Sequence, residues 1–303
     1  MSLSEPTVRQ RPTAAPDTAP PRPRRRPIAR RRVTTWLLTA GLTVMCLIWV
    51  YPFAWLISAS LKTPLELFGK GLNLVPDEPQ WENYVRAWTD GGFSTYMVNS
   101  IIVTVGSVAL VILRSALAGY VLGRFDFVGR KLIIGIMVVT FFLPEGYTII
   151  AVTQITDSMG LLNTHLGMIL GLGAGGHVPA LLLYAAYFRS LPKELEESAK
   201  VDGAGHFRTF FRIMLPLSMP VTATVGLLQF LTAWNAFLLP LVFTLSQPDL
   251  RPLAVGMVGF VSQNYTDHTG MAAAAVISLT PLVIVFILLQ RHFVNAVAGA
   301  VKQ

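Results

Sequence analysis

Charge is what this chain has least of. Asp, Glu, Lys and Arg make up 13% of its 303 residues, against roughly 25% in an ordinary soluble domain. With 53% hydrophobic residues beside that scarcity, a water-soluble globular fold is excluded and a polytopic membrane protein is implied. The single cysteine, Cys46, excludes an internal disulfide and a cysteine-based metal cluster. His177 has no second His, Cys or carboxylate beside it at metal-ligand spacing, so it reads as a hydrogen-bonded packing residue. A Gly-x4-Gly-Lys-Ser/Thr phosphate loop is missing, so the chain has no such motif with which to bind a nucleotide. An intramembrane hydrolase needs a nucleophile with a base, or a metal pair, and His177 alone does not meet that.

Long apolar runs are abundant. A helix needs about 20 such residues to cross the hydrocarbon core. Trp36 to Ile57, Gly167 to Phe188, Leu217 to Phe243 and Met271 to Gln290 qualify without any Asp, Glu, Lys or Arg. Tyr96 to Gly123, interrupted by Arg114, and Leu132 to Ile155, interrupted by Glu145, bring the expectation to six transmembrane helices in an all-α membrane protein. The net charge of +8 is not a nucleic-acid footprint, because 19 of the 24 Lys and Arg fall in segments on one side of that arrangement and 4 on the other. The positive-inside rule then puts both termini in the cytoplasm. The expected organisation is a disordered basic tail at 1–33, a first span at 34–58, an external loop at 59–95, a core at 96–291 holding a cytoplasmic loop at 189–216, and a C-terminal tail at 292–303.

Several local features refine this outline. The Pro- and Arg-rich start lacks the periodicity needed to fold, and the apolar run after it is too long for a cleaved signal peptide. External residues 59–95, with Trp81 and Trp88 among prolines and glycines, fit short helices at the membrane interface. The third span breaks at Pro144-Glu145-Gly146, which makes Glu145 either a pathway carboxylate or a residue at the outer interface. Arg114 reads as snorkelling to the cytoplasmic end from about two turns above it, with an ion-pair or pathway role as the alternative. Gly171, Gly173, Gly175 and Gly176 make the fourth span one that neighbours approach closely.

The polar island between spans four and five is the most informative stretch. Ser190, Pro192 and the carboxylates Glu194, Glu196 and Glu197 predict a helix start with a hydroxyl cap, and Gly203 and Gly205 predict its end. A second short helix follows, with Phe207, Phe210, Phe211 and Met214 on one stripe and Arg208 and Arg212 on the other side. A surface-lying helix on an anionic leaflet is expected to be basic, whereas Glu194 to Asp202 is acidic. The first helix is therefore expected to stand in water and enter a cleft on another protein.

Glu197-Ser198-Ala199 with Gly203, followed after nine residues by Ile213-x-Leu215-Pro216, resembles the cytoplasmic signature of binding-protein-dependent ABC importer permeases, in their MalG-like carbohydrate branch. Ser198 stands where the signature has its first Ala. Further points of likeness are Tyr120-x3-Arg124-Phe125-x-Phe127-x-Gly129, Leu161-Leu162-Asn163-Thr164, Leu191-Pro192, Trp234-Asn235-x-Phe237 and, at the end, Gln290-Arg291-x-Phe293-Val294 with Gly299-Ala300-Val301-Lys302, so the likeness covers about residues 50 to 303.

The resemblance implies a permease with the type I importer fold in the bacterial cytoplasmic membrane. It would translocate a sugar or sugar-like solute and bind no cofactor itself. ATP and Mg would belong to two copies of a cytoplasmic ATPase, and a second permease subunit and an external sugar-binding protein would complete the assembly. It assigns ATPase coupling to Glu197, Ser198, Ala199, Asp202, Gly203, Ile213, Leu215 and Pro216, with Gly299, Val301 and Lys302 as a second contact from the tail. Gly203 would allow the sharp turn after the coupling helix. Thr244 to Gly270 is the expected contact for the binding protein. Translocation-path candidates are Gln154, Tyr184, Gln229, Trp234, Asn235 and Glu145, each equally able to bond between helices. An ATP-independent secondary transporter or channel is the alternative function. It calls for paired ionisable residues in several spans, where only Arg114 and Glu145 occur.

Overall fold

In the computed structural model the described residues are 28–69, 73–142, 148–175, 177–261 and 266–300, with side chains described within them except at 28–34, 141 and 289–300. The chain is built of helices: α1 (Ile28–Ser60), α2 (Pro64–Gly69), α3 (Glu82–Trp88) and the long α4 (Phe93–Arg124) come first. Next are α5 (Arg130–Phe141), α6 (Ile149–Ser158), α7 (His165–Gly173) and α8 (Val178–Ser190). The loop contributes α9 (Glu194–Val201), α10 (His206–Thr209), a π-helical segment (Phe210–Met214) and α11 (Leu215–Leu217). After it come α12 (Met219–Trp234), α13 (Leu238–Phe243), α14 (Leu253–Gly256) and α15 (His268–Ala300). Extended pairing among the described residues is confined to an isolated bridge between Val261 and Thr266.

The described residues divide into two compact units between Pro52 and Phe53. In the first, α1 begins at Ile28, inside the stretch expected to be disordered. Trp36, Leu42, Leu47 and Trp49 along it are all more than half exposed, as befits a helix that is apolar all round and whose solvent is lipid.

In the second unit α4 is the central post. At its start Phe93 packs with Ala87, Trp234, Leu253, Ala273 and Ala274. Val103 joins Met168 and Phe243 further along. Towards its end Val111, Ala116 and Tyr120 pack with Tyr184, Phe188, Phe210, Met214 and Val225. The approach to α8 is close because Gly119 and Gly123 lack side chains: a Cβ at Gly119 would lie 2.5 Å from Tyr184 Cβ, and one at Gly123 2.7 Å from the Ala185 carbonyl oxygen. Small residues four apart serve helix contacts in lipid in this way. Tyr184 donates to Thr222 Oγ1 at 2.8 Å, which ties α8 to α12.

Among the described residues Thr35–Ser60, Phe93–Arg124 and His268–Leu288 are each long and apolar enough to cross a membrane, and two bent helix pairs raise the number to as many as five. The fourth expected span is one of these pairs, α7 and α8, bent by 61°. Its glycine run does more than permit close packing, because the helix is interrupted there. The other pair joins His206–Leu217 to α12 at 77°. The fifth expected span is likewise divided, since Asn235 to Phe237 separate α12 from α13. The third expected span falls on α5 and α6, of 12 and 10 residues, each too short to cross alone. Glu145 and the expected break around it lie outside the described residues.

Arg114 does not snorkel. Its guanidinium donates to the carbonyls of Ala174 and Gly175, both at 2.8 Å, and meets His177 Nδ1 at 2.5 Å. A helix end leaves carbonyls without partners, and hydrocarbon offers no water to satisfy them. Gln229 adds a longer contact, 3.4 Å to the Leu172 carbonyl. The sequence reading of His177 as a hydrogen-bonded residue agrees with this arrangement. Replacing Arg114 with Met is expected to destabilise the purified protein by about 2–4 kcal/mol, because two backbone acceptors lose a charged donor, with Arg114→Lys intermediate. Thermal unfolding in detergent measures it, and an unchanged midpoint for Arg114→Met would show that these bonds do not stabilise the fold.

Candidate functional site

The loop between α8 and α12 holds the residues expected to couple to an ATPase, from Glu197 to Pro216. Helix α9 carries Glu194, Glu196 and Glu197 in its first turn, favourable at the positive end of the helix dipole. Its cap is not Ser190, which ends α8 and donates to the Tyr187 carbonyl at 2.7 Å. Lys193 holds the cap position, and its carbonyl accepts from the amides of Glu196 and Glu197. The hydroxyl expected to start α9 is thus used to finish the preceding helix.

The far end of α9 follows the expectation closely. Gly203 has φ +73°, its amide donates to the Lys200 carbonyl at 3.0 Å and the Ala204 amide to the Ala199 carbonyl at 2.9 Å. This pair of bonds around a left-handed residue is the Schellman stop, which glycine adopts without the Cβ penalty. A Cβ at position 203 would meet nothing within 4 Å. Backbone geometry, not crowding, is what the glycine provides.

Helix α9 does not stand clear in water as the sequence had implied. Ala199 is buried and Leu195 and Glu196 are half-buried, while Glu194, Glu197, Ser198, Lys200, Val201 and Asp202 are exposed. One face is therefore seated on the bundle and the other is presented outward. Val201, 88% exposed, sits among the outward polar groups.

The seat is built around Arg124, the last residue of α4. Its Nε pairs with Glu196 Oε2 at 3.1 Å. One terminal nitrogen donates to the carbonyls of Phe188 (3.2 Å) and Leu191 (2.8 Å), the other to that of Pro192 (3.1 Å). The arginine side chain is only 4% exposed. Around it Tyr120 packs against Phe125, Phe188 and Phe210 with ring centroids 5.3–5.6 Å apart, and Phe125 meets His206 edge-on at 5.2 Å.

The second loop helix departs from its expected single stripe. Phe210 to Met214 is π-helical, closed by a bond from the Leu215 amide to the Phe210 carbonyl. The wider turn leaves Phe210 and Met214 buried, with Phe207 at 76% and Phe211 at 48% exposure. Ile213 and Leu215 pack against the buried cluster, and Pro216 is exposed at the bend into α12. Arg208 and Arg212 are exposed.

The residues expected along a path are not brought together. Tyr184, Gln229 and Trp234 are buried, and Trp234 Nε1 donates to the Ser278 carbonyl of α15 at 3.0 Å. Asn235 is exposed and donates to the Leu231 carbonyl of its own helix. Gln154 is exposed and lines an open groove with Ile150, Asp157, Leu162 and Val242. Gly299 lies in the final turn of α15, and Val301 and Lys302 lie outside the described residues.

Sequence reasoning missed Arg124 and Glu196 as a pair. The signal was an arginine ending a span, with a surplus of carboxylates beginning α9. At the other end of α4, Asn99 donates to the carbonyls of Asp249 (2.7 Å) and Arg251 (3.1 Å), and the Leu253 amide donates to Ser100 Oγ at 2.8 Å. The base of the loop expected to face a binding protein is thereby fixed to the post. Among the described residues no group of three His, Cys, Asp or Glu is placed to hold a metal ion.

The geometry is that of an all-helical membrane protein with a glycine-stopped acidic helix seated on the end of α4. The family described as "Binding-protein-dependent transport system inner membrane component" matches residues 115–299, and the chain belongs to it. Curated relatives include the diacetylchitobiose uptake system permease protein NgcG of Streptomyces coelicolor, 36% identical over 87% of this chain and 86% of its own. Another is the arabinooligosaccharides transport system permease protein AraQ of Halalkalibacterium halodurans, 32% identical over 89% and 97%. The trehalose/maltose transport system permease protein MalG of Thermococcus litoralis is 33% identical over 88% and 96%.

A crystal structure of a bacterial ABC transporter involved in import of the acidic polysaccharide alginate shares the fold, with a TM-score of 0.75 at 24% identity over 86% of this chain and 97% of that one. The chain is thus a non-catalytic, multi-pass permease subunit of the inner membrane, whose ATPase is a separate subunit and whose transport system includes a binding protein.

Proposed function

We propose that the chain is the permease of an ATP-driven importer for a disaccharide, short oligosaccharide or related solute. The observation that carries this is that three relatives, each aligned over 87–89% of the chain, are named as permeases of saccharide uptake or transport systems. Six spans with both termini cytoplasmic complete the proposed topology, α5 and α6 making the third across the segment outside the described residues. The partners are a second permease, two copies of the ATPase and a sugar-binding protein.

In this reading the outward face of α9, with Glu197, Ser198 and Asp202, enters a groove of the ATPase. Ala199, Ile213 and Leu215 hold it to the bundle, and the end of α15 with Val301 and Lys302 adds a second contact. Gln154 and Asn235, exposed polar groups in apolar surroundings, are the favoured sugar contacts. Tyr184, Gln229 and Trp234 serve mainly between helices, where their hydrogen bonds lie.

The test is accumulation of labelled saccharides by vesicles holding the complete complex, supplied with binding protein and internal ATP. Accumulation of at least one of them that stops without ATP is the expected result. Transport that persists with the ATPase subunits left out would favour the secondary-transporter reading, and a panel with no accumulated saccharide would remove carbohydrate as cargo.

A further inference from the structure

The four contacts of Arg124 join three elements that the chain connects only loosely. Phe188 supplies a carbonyl from the last turn of α8, which also accepts from the Leu191 amide, and Leu191 supplies one as the residue that caps α8, at the helix end where a cation suits the dipole. Pro192 supplies one from the joint Leu191-Pro192-Lys193 between α8 and α9, and Glu196 reaches back from the first turn of α9. Arginine alone carries five donors in a rigid fork able to meet acceptors in several directions at once, and four acceptors are met here. The fork is buried, so leaving its seat would strand both a guanidinium and a carboxylate, a costly state. Above it Gly119 and Gly123 set α4 directly against the α8 backbone.

We propose that Arg124 is the positioning residue that makes α4, α8 and α9 move as one body, so that displacement of α9 reaches the membrane-spanning helices. This rests on the reading that α9 docks the ATPase, and adds how that motion enters the bundle. Arg124 is outside the docking face and the path, and touches neither nucleotide nor solute in this scheme. Loss of the latch leaves α9 on a short pivot: an ATPase closing on it turns the hairpin without carrying α4 along. Hydrolysis continues while transport lags.

The experiment uses the full transporter in vesicles with loaded binding protein, and reads ATP hydrolysed and solute accumulated together. In Arg124→Gln the solute moved per ATP falls at least about five-fold, the lower edge of coupling between linked sites, while hydrolysis persists. Arg124→Lys, which keeps the charge toward Glu196 without the fork, lies between it and the parent. Glu196→Gln shows a smaller loss of the same sign. Since Glu196 is part-exposed on a surface helix, that variant and Arg124→Lys decide the matter where Arg124→Gln does not assemble. An unchanged ratio in the assembled variants overturns the proposal, as does an equal fall in hydrolysis and transport, the signature of a merely structural support. The docking reading is checked apart from these, by cross-linking Val201→Cys to the ATPase in the Cys46→Ala background of an otherwise unaltered complex. Failure of that cross-link overturns both readings, whereas a cross-link with an unchanged ratio overturns only the role of Arg124.

Discussion

Gly203→Val is expected to reduce ATP-driven uptake to below about a tenth of the parent level, while the permease still accumulates in the membrane. The argument begins with φ +73° at this position, a region in which a β-branched residue is a genuine outlier and which costs an ordinary L residue about 1–2 kcal/mol. Space is not the difficulty, because nothing lies within 4 Å of the position a Cβ would take. The cheapest response of the chain is to give up the two bonds that stop α9, Gly203 to Lys200 and Ala204 to Ala199. The hairpin is then reoriented at the place where an ATPase would grip it, and the buried clusters of the bundle are untouched.

Asparagine visits the left-handed region far more readily, so Gly203→Asn should keep at least half of the uptake. Uptake per unit of membrane protein, measured for both variants, checks this. Normal uptake by Gly203→Val would show that the turn is not needed for transport.

Gly119→Leu is expected to act earlier, on the protein's existence in the membrane. A Cβ there would sit 2.5 Å from Tyr184 Cβ and 3.0 Å from both the Ala185 amide nitrogen and the Leu181 carbonyl oxygen. Two of those three atoms are backbone, so no rotamer change relieves the contact and α4 must part from α8. Overpacking of this kind costs about 1–3 kcal/mol when neighbours can yield. Here the displacement would also pull on the Tyr184–Thr222 bond and on the carbonyls held by Arg124. Steady-state level in the membrane should drop about ten-fold, since a loss of 1–2 kcal/mol already changes abundance several-fold. Gly135→Leu on α5, where a Cβ meets nothing within 4 Å, is the matched control and should accumulate normally. Equal levels for the two variants would contradict the close α4–α8 contact.

These two glycines mark the reach of sequence reasoning. Gly203 was legible because the stop of a helix is a local matter: the residues that need the turn, Ala199 to Ala204, are contiguous. Gly119 and Gly123 were in view as part of a motif, but what they lie against belongs to α8, some sixty residues away, and nothing local names that neighbour. Arg114 was misread for the same reason. Taken alone it was a charge in a span with a nearby cytoplasmic end; its partners are the carbonyls of Ala174 and Gly175, exposed only because the fourth span is interrupted. The single stripe expected of Phe207, Phe210, Phe211 and Met214 followed from assuming 3.6 residues per turn, and it is divided because the backbone widens into a π segment.

What the chain's composition and order determined by themselves were the solvent and the family signature: scarce charge and long apolar runs require lipid, and the glycine-stopped acidic stretch with Ile213-x-Leu215-Pro216 marks an inner-membrane transport component. These are properties of single segments and their hydration, which no neighbour is needed to define. Tertiary structure alone decided which polar groups are spent within the bundle and which are offered outward. Arg124, Arg114, Tyr184 and Trp234 are committed to carbonyls and hydroxyls on other helices, and Glu197 and Asp202 are left exposed. The physical reason is that in a medium without water every polar group must find its partner in the protein, and the partner is set by which helices meet.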